Sequence, residues 1–370
     1  MAEYKIQDTT LTSIANAIRA KDGSSGSIAV SNFASRINAI ETVIPDGYIY
    51  PAEMTATMAS GQWRSVTYGN GKFVAVSANN GLAAYSTDGI NWTTTTMPST
   101  AKWWSVAYGN GKFVAVSYGS SSEAACSTDG ITWTASTLPT SANWRSIAYG
   151  KDKFVAVADD TRTAAYSTDG ITWSTSSLPN YGSYNTWYTI TYGNGRFVVL
   201  TSYDAANVVA YSTDGISWSY KTMPTSGYWH CVNYCGGKFI AVMADKNKDP
   251  GVAAYSLDGI NWTQTTLPSP ANWQYVDYYN GKYVAVAYSS NNAAYSTDGI
   301  TWTAATLPKS ATWWSIAHSA DKLVTVASGS TTAAVSYDGM NWYSSFTGLA
   351  DPDGNDVTGE VLSKLERLPA

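Results

Sequence analysis

Three observations predict an all-β fold, a seven-bladed β-propeller of four-stranded antiparallel blades, for this 370-residue chain. A Ser-x-Asp-Gly tetrapeptide recurs seven times, with its aspartate at Asp88, Asp129, Asp169, Asp214, Asp258, Asp298 and Asp338. Successive aspartates lie 41, 40, 45, 44, 40 and 40 residues apart. A fixed period near that length, carrying short apolar runs, marks one propeller blade per repeat. Finally, a tryptophan follows each glycine by three residues, from Trp92 and Trp133 to Trp302 and Trp342, and a second opens each repeat.

The first repeat shows how each element follows from its residues. Trp63 to Tyr68 is rich in aromatic and β-branched side chains and reads as a strand. Asn70-Gly71 is a hairpin signal, because a type I′ turn needs positive φ at both central positions. Asn-Gly or Gly-Gly fills this place in five of seven repeats, with Lys151-Asp152 and Ala320-Asp321 as the exceptions. Phe73-Val74-Ala75-Val76 is a continuous apolar run that expects burial on both faces. Ala83 to Ser86 forms a third strand, and Asp88-Gly89 a second tight turn whose carboxylate bonds nearby backbone. Trp92 to Thr96 is a solvent-tolerant fourth strand that stops at Pro98.

The Ser-Thr-Asp-Gly-x-x-Trp runs resemble the Asp-box hairpins of sialidase-type propellers, one residue shorter between glycine and tryptophan than the usual box. In that family the box is a structural hairpin away from the active site. The resemblance therefore implies fold and not chemistry.

The propeller is expected over residues 46–349. Ring closure is open at this stage: Glu53 to Met58 echoes a threonine-rich fourth strand, and Trp342 to Phe346 supplies another, so one of the two is surplus. Residues 1–45 carry no repeat. Leu11, Ile14, Ala15 and Ile18 follow helical spacing, Thr9 or Thr10 can cap the start, and Phe33, Ile37 and Ile40 suggest a second short helix. The run Leu11 to Lys21, with Gly23, Gly26 and Phe33-Ala34-Ser35, resembles a short module of tail and tail-fibre proteins in phages and prophages of Gram-positive bacteria. That resemblance implies a virion structural protein attached to other virion tail proteins through residues 1–45. The competing reading is a helical hairpin that merely caps the propeller. Residues 350–370 form an extension in which Leu362, Leu365 and Leu368 suggest a helix. Asp351, Asp353, Asn355 and Asp356 precede it, but the glycine and glutamate of a calcium loop are missing at Asp356 and Leu362, so a solvated acidic turn is expected.

Composition narrows the function. Net charge is −5 with no basic stripe, which argues against nucleic acid. No run of about 18 apolar residues exists to insert in a membrane, and the first 20 residues lack a signal-peptide core. Assembly in a bacterial cytoplasm and residence in a virion are the expected course. Three cysteines make no disulfide framework. Cys126 replaces a tyrosine, Cys231 a serine and Cys235 a glycine of the repeat pattern. His230 and His318 are the only histidines, and His318 takes a tyrosine position, so it is expected to pack. No metal, no cofactor and no catalytic residue is assigned.

The differences between repeats carry the functional expectation. Alternating connections place the Asn-Gly and Asp-Gly turns on one face. The second-to-third-strand loops and the connections between blades share the other. The first face is monotonous and the second varies, and a constant framework with one variable rim places binding there. One position stands out, the residue after the first-strand tryptophan: Arg64, Trp104, Arg145, Tyr188, His230, Gln274 and Trp314. These seven are expected to ring the channel entrance, with Tyr118, Tyr181, Tyr184 and Tyr203 on the rim around them. Aromatic faces stack on sugars or apolar groups, and planar polar ends fix orientation. The bland alternative is that long side chains only fill space.

The expected function is a non-catalytic receptor-binding or adhesion protein of a phage tail, reading a bacterial cell-surface glycan or surface protein, with homo-oligomerisation through the N-terminal module. A glycosidase or glycan lyase on a sialidase-like propeller competes with it. However, a converging arginine triad is missing, and Asp277 is the one acidic first-strand residue where a carboxylate pair is needed. An intracellular protein-interaction scaffold is the third reading.

Overall fold

The computed structural model describes residues 50–159, 161–182, 186–203, 207–245 and 251–350. The expected helices in residues 1–45, the extension after residue 350 and Tyr184 lie outside the described residues. Every regular element among the described residues is a β-strand, and the chain forms two compact units.

The larger unit is Thr57–Tyr343. Its first repeat shows the pairing: Trp63–Gly69, Lys72–Ser77, Leu82–Ser86 and Thr93–Thr96 lie side by side, each antiparallel to the next. Phe73, Val74, Ala75 and Val76 are all fully buried, as their uninterrupted apolar run requires, while Thr93, Thr94 and Thr96 are exposed. Two strands are longer than expected. Thr134–Gly150 and Thr303–His318 run from the last strand of one repeat into the first strand of the next without a break. Each changes partner midway through a register shift.

The turns follow their residues. Asn70 and Gly71 have φ of 47° and 72°, a type I′ pair, and Lys151-Asp152 holds the same shape at 46° and 58° without glycine. In each Ser-x-Asp-Gly turn the serine and aspartate organise the backbone. Asp169 Oδ1 accepts the Ser167 hydroxyl at 2.9 Å and the amides of Ile171 and Thr172 at 2.8 and 2.7 Å, while the Gly170 amide donates to Ser167 Oγ at 2.8 Å. The amides of Thr172 and Ile171 hold the Asp169 carboxyl down at about 2. Asp298 is held there in the same way by Thr301 and Ile300.

Four sets of contacts join each repeat to the next. The Val106 amide donates to Ser65 Oγ at 3.2 Å, Ile147 to Ser105 Oγ at 3.3 Å, Ile190 to Ser146 Oγ at 3.2 Å, and Val66 to Ser315 Oγ at 3.3 Å. Ring atoms of Tyr108, Tyr149, Tyr192 and Tyr234 cover Gly69, Gly109, Gly150 and Gly193 so closely that a Cβ there would meet the ring within 2.1 Å. The turn glycines sit beneath valines of the preceding repeat: Cβ atoms on Gly130 and Gly170 would stand 2.6 Å from Val74 and Val114 Cγ2. Lastly, Lys112 Nζ, Lys153 Nζ and Arg196 Nη1 donate to the carbonyls of Asp169, Asp214 and Asp258 in the following repeat at 2.8 to 2.9 Å. The last repeat stands in the same relation to the first. Lys322 Nζ donates to Asp88 O at 3.0 Å, and Val324 Cγ2 lies 2.5 Å from a Cβ built on Gly89.

The edge beside the last repeat resolves the question of the surplus strand. Val335 exchanges backbone hydrogen bonds with Tyr343 at 2.8 and 2.9 Å, whereas Thr332 pairs with Thr57 on the strand Thr57–Gly61. Each end of the chain therefore supplies part of this edge, and neither is surplus. In the smaller unit Tyr50–Thr55 pairs antiparallel with Ser345–Ala350. Two strand segments that would otherwise expose unpaired backbone satisfy one another.

Candidate functional site

The residue that follows each first-strand tryptophan lies between that invariant ring and a position that is serine or threonine in five of seven repeats. The tryptophan before it is buried in every repeat, at 0 or 1% exposure. The Ser or Thr after it stitches the next repeat in most cases. Between them, the variable side chain turns into the central cavity, and Arg64, Trp104, Arg145, Tyr188, His230, Gln274 and Trp314 all line it. The cavity has a volume of about 110 Å³, and among the described residues that line it there is no aspartate or glutamate.

These side chains contact one another in chain order. The Arg64 guanidinium lies over Trp314 at 4.1 Å and over Trp104 at 4.6 Å. Arg145 lies over Trp104 at 4.6 Å and over Tyr188 at 3.9 Å. Tyr188 stacks on His230 with centroids 4.6 Å apart and planes 24° from parallel, and His230 Nδ1–H donates to Gln274 Oε1 at 3.0 Å. Cation–π contacts of this kind are worth about 0.5–2 kcal/mol each, the more so as they are desolvated. Faces of Trp104, Trp314 and Tyr188 that were expected to stack on a ligand are therefore covered by arginine.

Electrostatics agree with that geometry. Burial and the nearby Arg145 charge lower the Arg64 pKa. Its Nε is buried with no hydrogen-bond partner. Among the described residues neither Arg64 nor Arg145 has a carboxylate in ion-pair reach. Burial pushes His230 down to about 4, so the ring is neutral near pH 7.

The rim tyrosines separate. Tyr118 reaches the ring, 4.6 Å from Trp104 and 5.3 Å from Arg145. Tyr181 does not: it packs edge-on against Trp187 at 5.0 Å and its hydroxyl accepts the Thr186 amide at 3.2 Å. Tyr203 ends the strand Arg196–Tyr203. Tyr288, which was not among the expected site residues, stands 5.4 Å from Trp314. The contact of Tyr118 with Trp104, and of Ser120 N with Asn143 Oδ1 at 2.8 Å, places second-to-third-strand loops and an inter-repeat connection beside the ring. Across the fold, Asn70 Nδ2 donates to Thr128 O and Asn194 Nδ2 to Leu257 O, which brings the two families of tight turns together.

Sequence reasoning missed a second cluster in the first strands. Asp277 Oδ1 accepts the Tyr278 amide at 2.8 Å and Asn233 Nδ2 at 3.4 Å, and His318 Nδ1 lies 2.9 Å from Asp277 Oδ2. The bond to Asp277 raises the His318 pKa. His318 does not pack as a tyrosine would: it is exposed, and buried Tyr279 stands where four of the other repeats have glycine. The signal was present three residues past the ring position, which reads Thr67, Ala107, Ala148, Thr191, Asn233, Asp277 and Ala317. The cysteines are all buried thiols, with Cys231 pushed up to about 12 by burial.

No family model matches the sequence, and no curated protein matches it. Solved structures share its fold. A streptogramin B lyase is 15% identical over 78% of this chain and 98% of its own, with a TM-score of 0.67. A catalytically inactive virginiamycin B lyase from Staphylococcus aureus with quinupristin is 14% identical over 78% and 99%, with a TM-score of 0.67. YCF48 bound to D1 peptide is 13% identical over 78% and 97%, with a TM-score of 0.61. At these identities the likeness establishes a β-propeller and nothing about activity.

Proposed function

We propose that this chain is a non-catalytic binding protein whose propeller presents a ligand site at the mouth of its channel. Seven four-stranded blades are the architecture we assign, one for each Ser-x-Asp-Gly turn. The observation that carries the functional reading is positional. One residue per repeat takes five identities between a fixed tryptophan and a position that is serine or threonine in five of seven repeats, and all seven copies meet in one cavity. A framework that spends its variation on one face is built for recognition. The likeness to a propeller solved with a bound peptide is in keeping with a binding role.

The partner we propose is a bacterial cell-surface glycan or surface protein. The setting is a phage tail, on the strength of the tail-module resemblance in residues 11–35. A second reading has one observation in its favour: the exposed His318 beside Asp277 could move a proton. Against it, Asp277 stands without a second carboxylate in the first strands, which leaves a retaining or inverting pair incomplete. The test is a glycan array and whole-cell binding run beside a reducing-sugar release assay. Retention without release supports the binding reading. Release that disappears in Asp277→Asn contradicts it.

A further inference from the structure

The geometry points to a carboxylate-binding subsite at the channel mouth, formed by Arg64 and Arg145 and suited to an acidic sugar; this rests on the binding reading above and names its ligand chemistry. Both guanidinium carbons lie 4.6 Å from the centre of the same Trp104 ring, so the two charges stand no further apart than twice that distance. No carboxylate in the cavity lining offsets them. Arg64 Nε is buried without a hydrogen-bond partner, a costly state for a polar group and one that a bound acceptor would relieve. The Trp314, Trp104 and Tyr188 rings, 3.9 to 4.6 Å from the guanidinium carbons, hold both groups in place. A planar, bidentate acceptor is the shape such a donor set fits, and a carboxylate is that acceptor.

Two further observations select a sugar acid over an extended peptide. A peptide that adds to a sheet needs free backbone donors. The first-strand amides at the channel are taken: Val66, Val106, Ile147 and Ile190 all donate to a serine hydroxyl of the adjoining repeat. The cavity of about 110 Å³ has room for about four waters. That admits a carboxylate with one edge of a monosaccharide. Around it the hydroxyls of Ser65, Ser105 and Ser146 are in place to meet sugar hydroxyls.

The test is titration calorimetry of the full chain with three probes: D-glucuronate, D-glucose, and an N-acetylated tripeptide with a free terminal carboxylate. Parent, Arg64→Gln and Arg145→Gln are compared, with melting temperatures to verify folding. Glucuronate should bind the parent, weaken at least tenfold in each variant, and weaken as salt is raised. Glucose should show no binding. Equal binding of glucose and glucuronate, or glucuronate binding unchanged in both folded variants, overturns the proposal. Binding of the tripeptide without glucuronate overturns the assignment to a sugar. If a variant unfolds, Arg64→Lys replaces it: charge is kept and the fork is lost, so glucuronate should still weaken. Whole-cell binding is measured on the same proteins. Cell binding that persists with no response to glucuronate refutes the carboxylate subsite and spares the binding reading. Absence of both cell binding and a response to glucuronate refutes both.

Discussion

Single residues hold this fold through steric fit as much as through conformation. Gly215 has φ of +72°, and a Cβ on it would lie 2.7 Å from Val155 Cγ2 of the preceding repeat. Gly195 has φ of +76° with nothing within 4 Å. Gly195→Ala should therefore cost about 1 kcal/mol from backbone strain alone, and Gly215→Ala about 2 kcal/mol or more, because Val155 must also move. Urea unfolding of the two variants checks the difference. The two histidines titrate in opposite senses. Buried His230 is neutral with a pKa near 4, so its contribution is complete above about 6.5 and is lost as pH falls toward 4. His318 is raised by Asp277, so its contribution is complete below about 6.5 and is lost as pH rises through its folded value. His230→Gln should flatten the stability curve on the acid side of pH 6.5, and His318→Gln on the alkaline side, as read from melting temperature against pH. The ring itself was legible in the sequence, since a variable position between constant neighbours needs no structure to find. What those side chains do to one another was not. Which aromatic face is free depends on rotamers: Arg64 lies over tryptophan faces, and Arg145 over tryptophan and tyrosine faces.

Strand pairing was legible wherever turn chemistry was strong. Asn-Gly and Asp-Gly fixed both hairpins of a repeat; the Asn-Gly pairs have the positive φ at both positions that a type I′ turn requires, whereas in the Asp-Gly turns only the glycine does. Lys151-Asp152 adopts the same turn against its residue preference, held by the hairpin around it and by Lys151 Nζ donating to Thr213 O at 3.0 Å. Asp152→Gly should consequently stabilise the protein by roughly 0.5–1 kcal/mol, measured by denaturant midpoint, because φ of 58° costs glycine nothing. The ends of the array were not legible. Glu53 to Met58 and Trp342 to Phe346 both read as fourth strands, and period-2 patterning cannot say which of two similar segments wins an edge. The structure divides the edge between Thr57 and Tyr343 and pairs the remainder. Tyr181 misled for a related reason: a loop aromatic beside a variable face was read as ligand-facing, but Trp187 offered it a buried neighbour.

At the scale of the whole molecule, contacts repeat from one unit of the array to the next and return from the last to the first through Lys322 and Val324. Such a ring keeps its framework while one face diverges. If residues 1–45 attach the chain to a larger assembly, deletion of residues 1–44 should leave a propeller with a cooperative melt that no longer joins other tail proteins, seen by co-sedimentation. Loss of folding would instead make those residues a structural cap. The central claim is that recognition belongs to the face of the arginine–aromatic ring and not to the face of the tight turns. The latter carries exposed Ile171, Ile216 and Ile300. The most direct measurement is bacterial-surface binding by two folded variants: Tyr118→Ala with Arg145→Gln on the ring face, and Ile171→Ser with Ile216→Ser on the turn face. Losing a central anchor typically costs ~2 kcal/mol, about thirtyfold in affinity. The account predicts a loss of at least that size in the ring-face variant and affinity within twofold of the parent in the turn-face variant; the reverse pattern would contradict it.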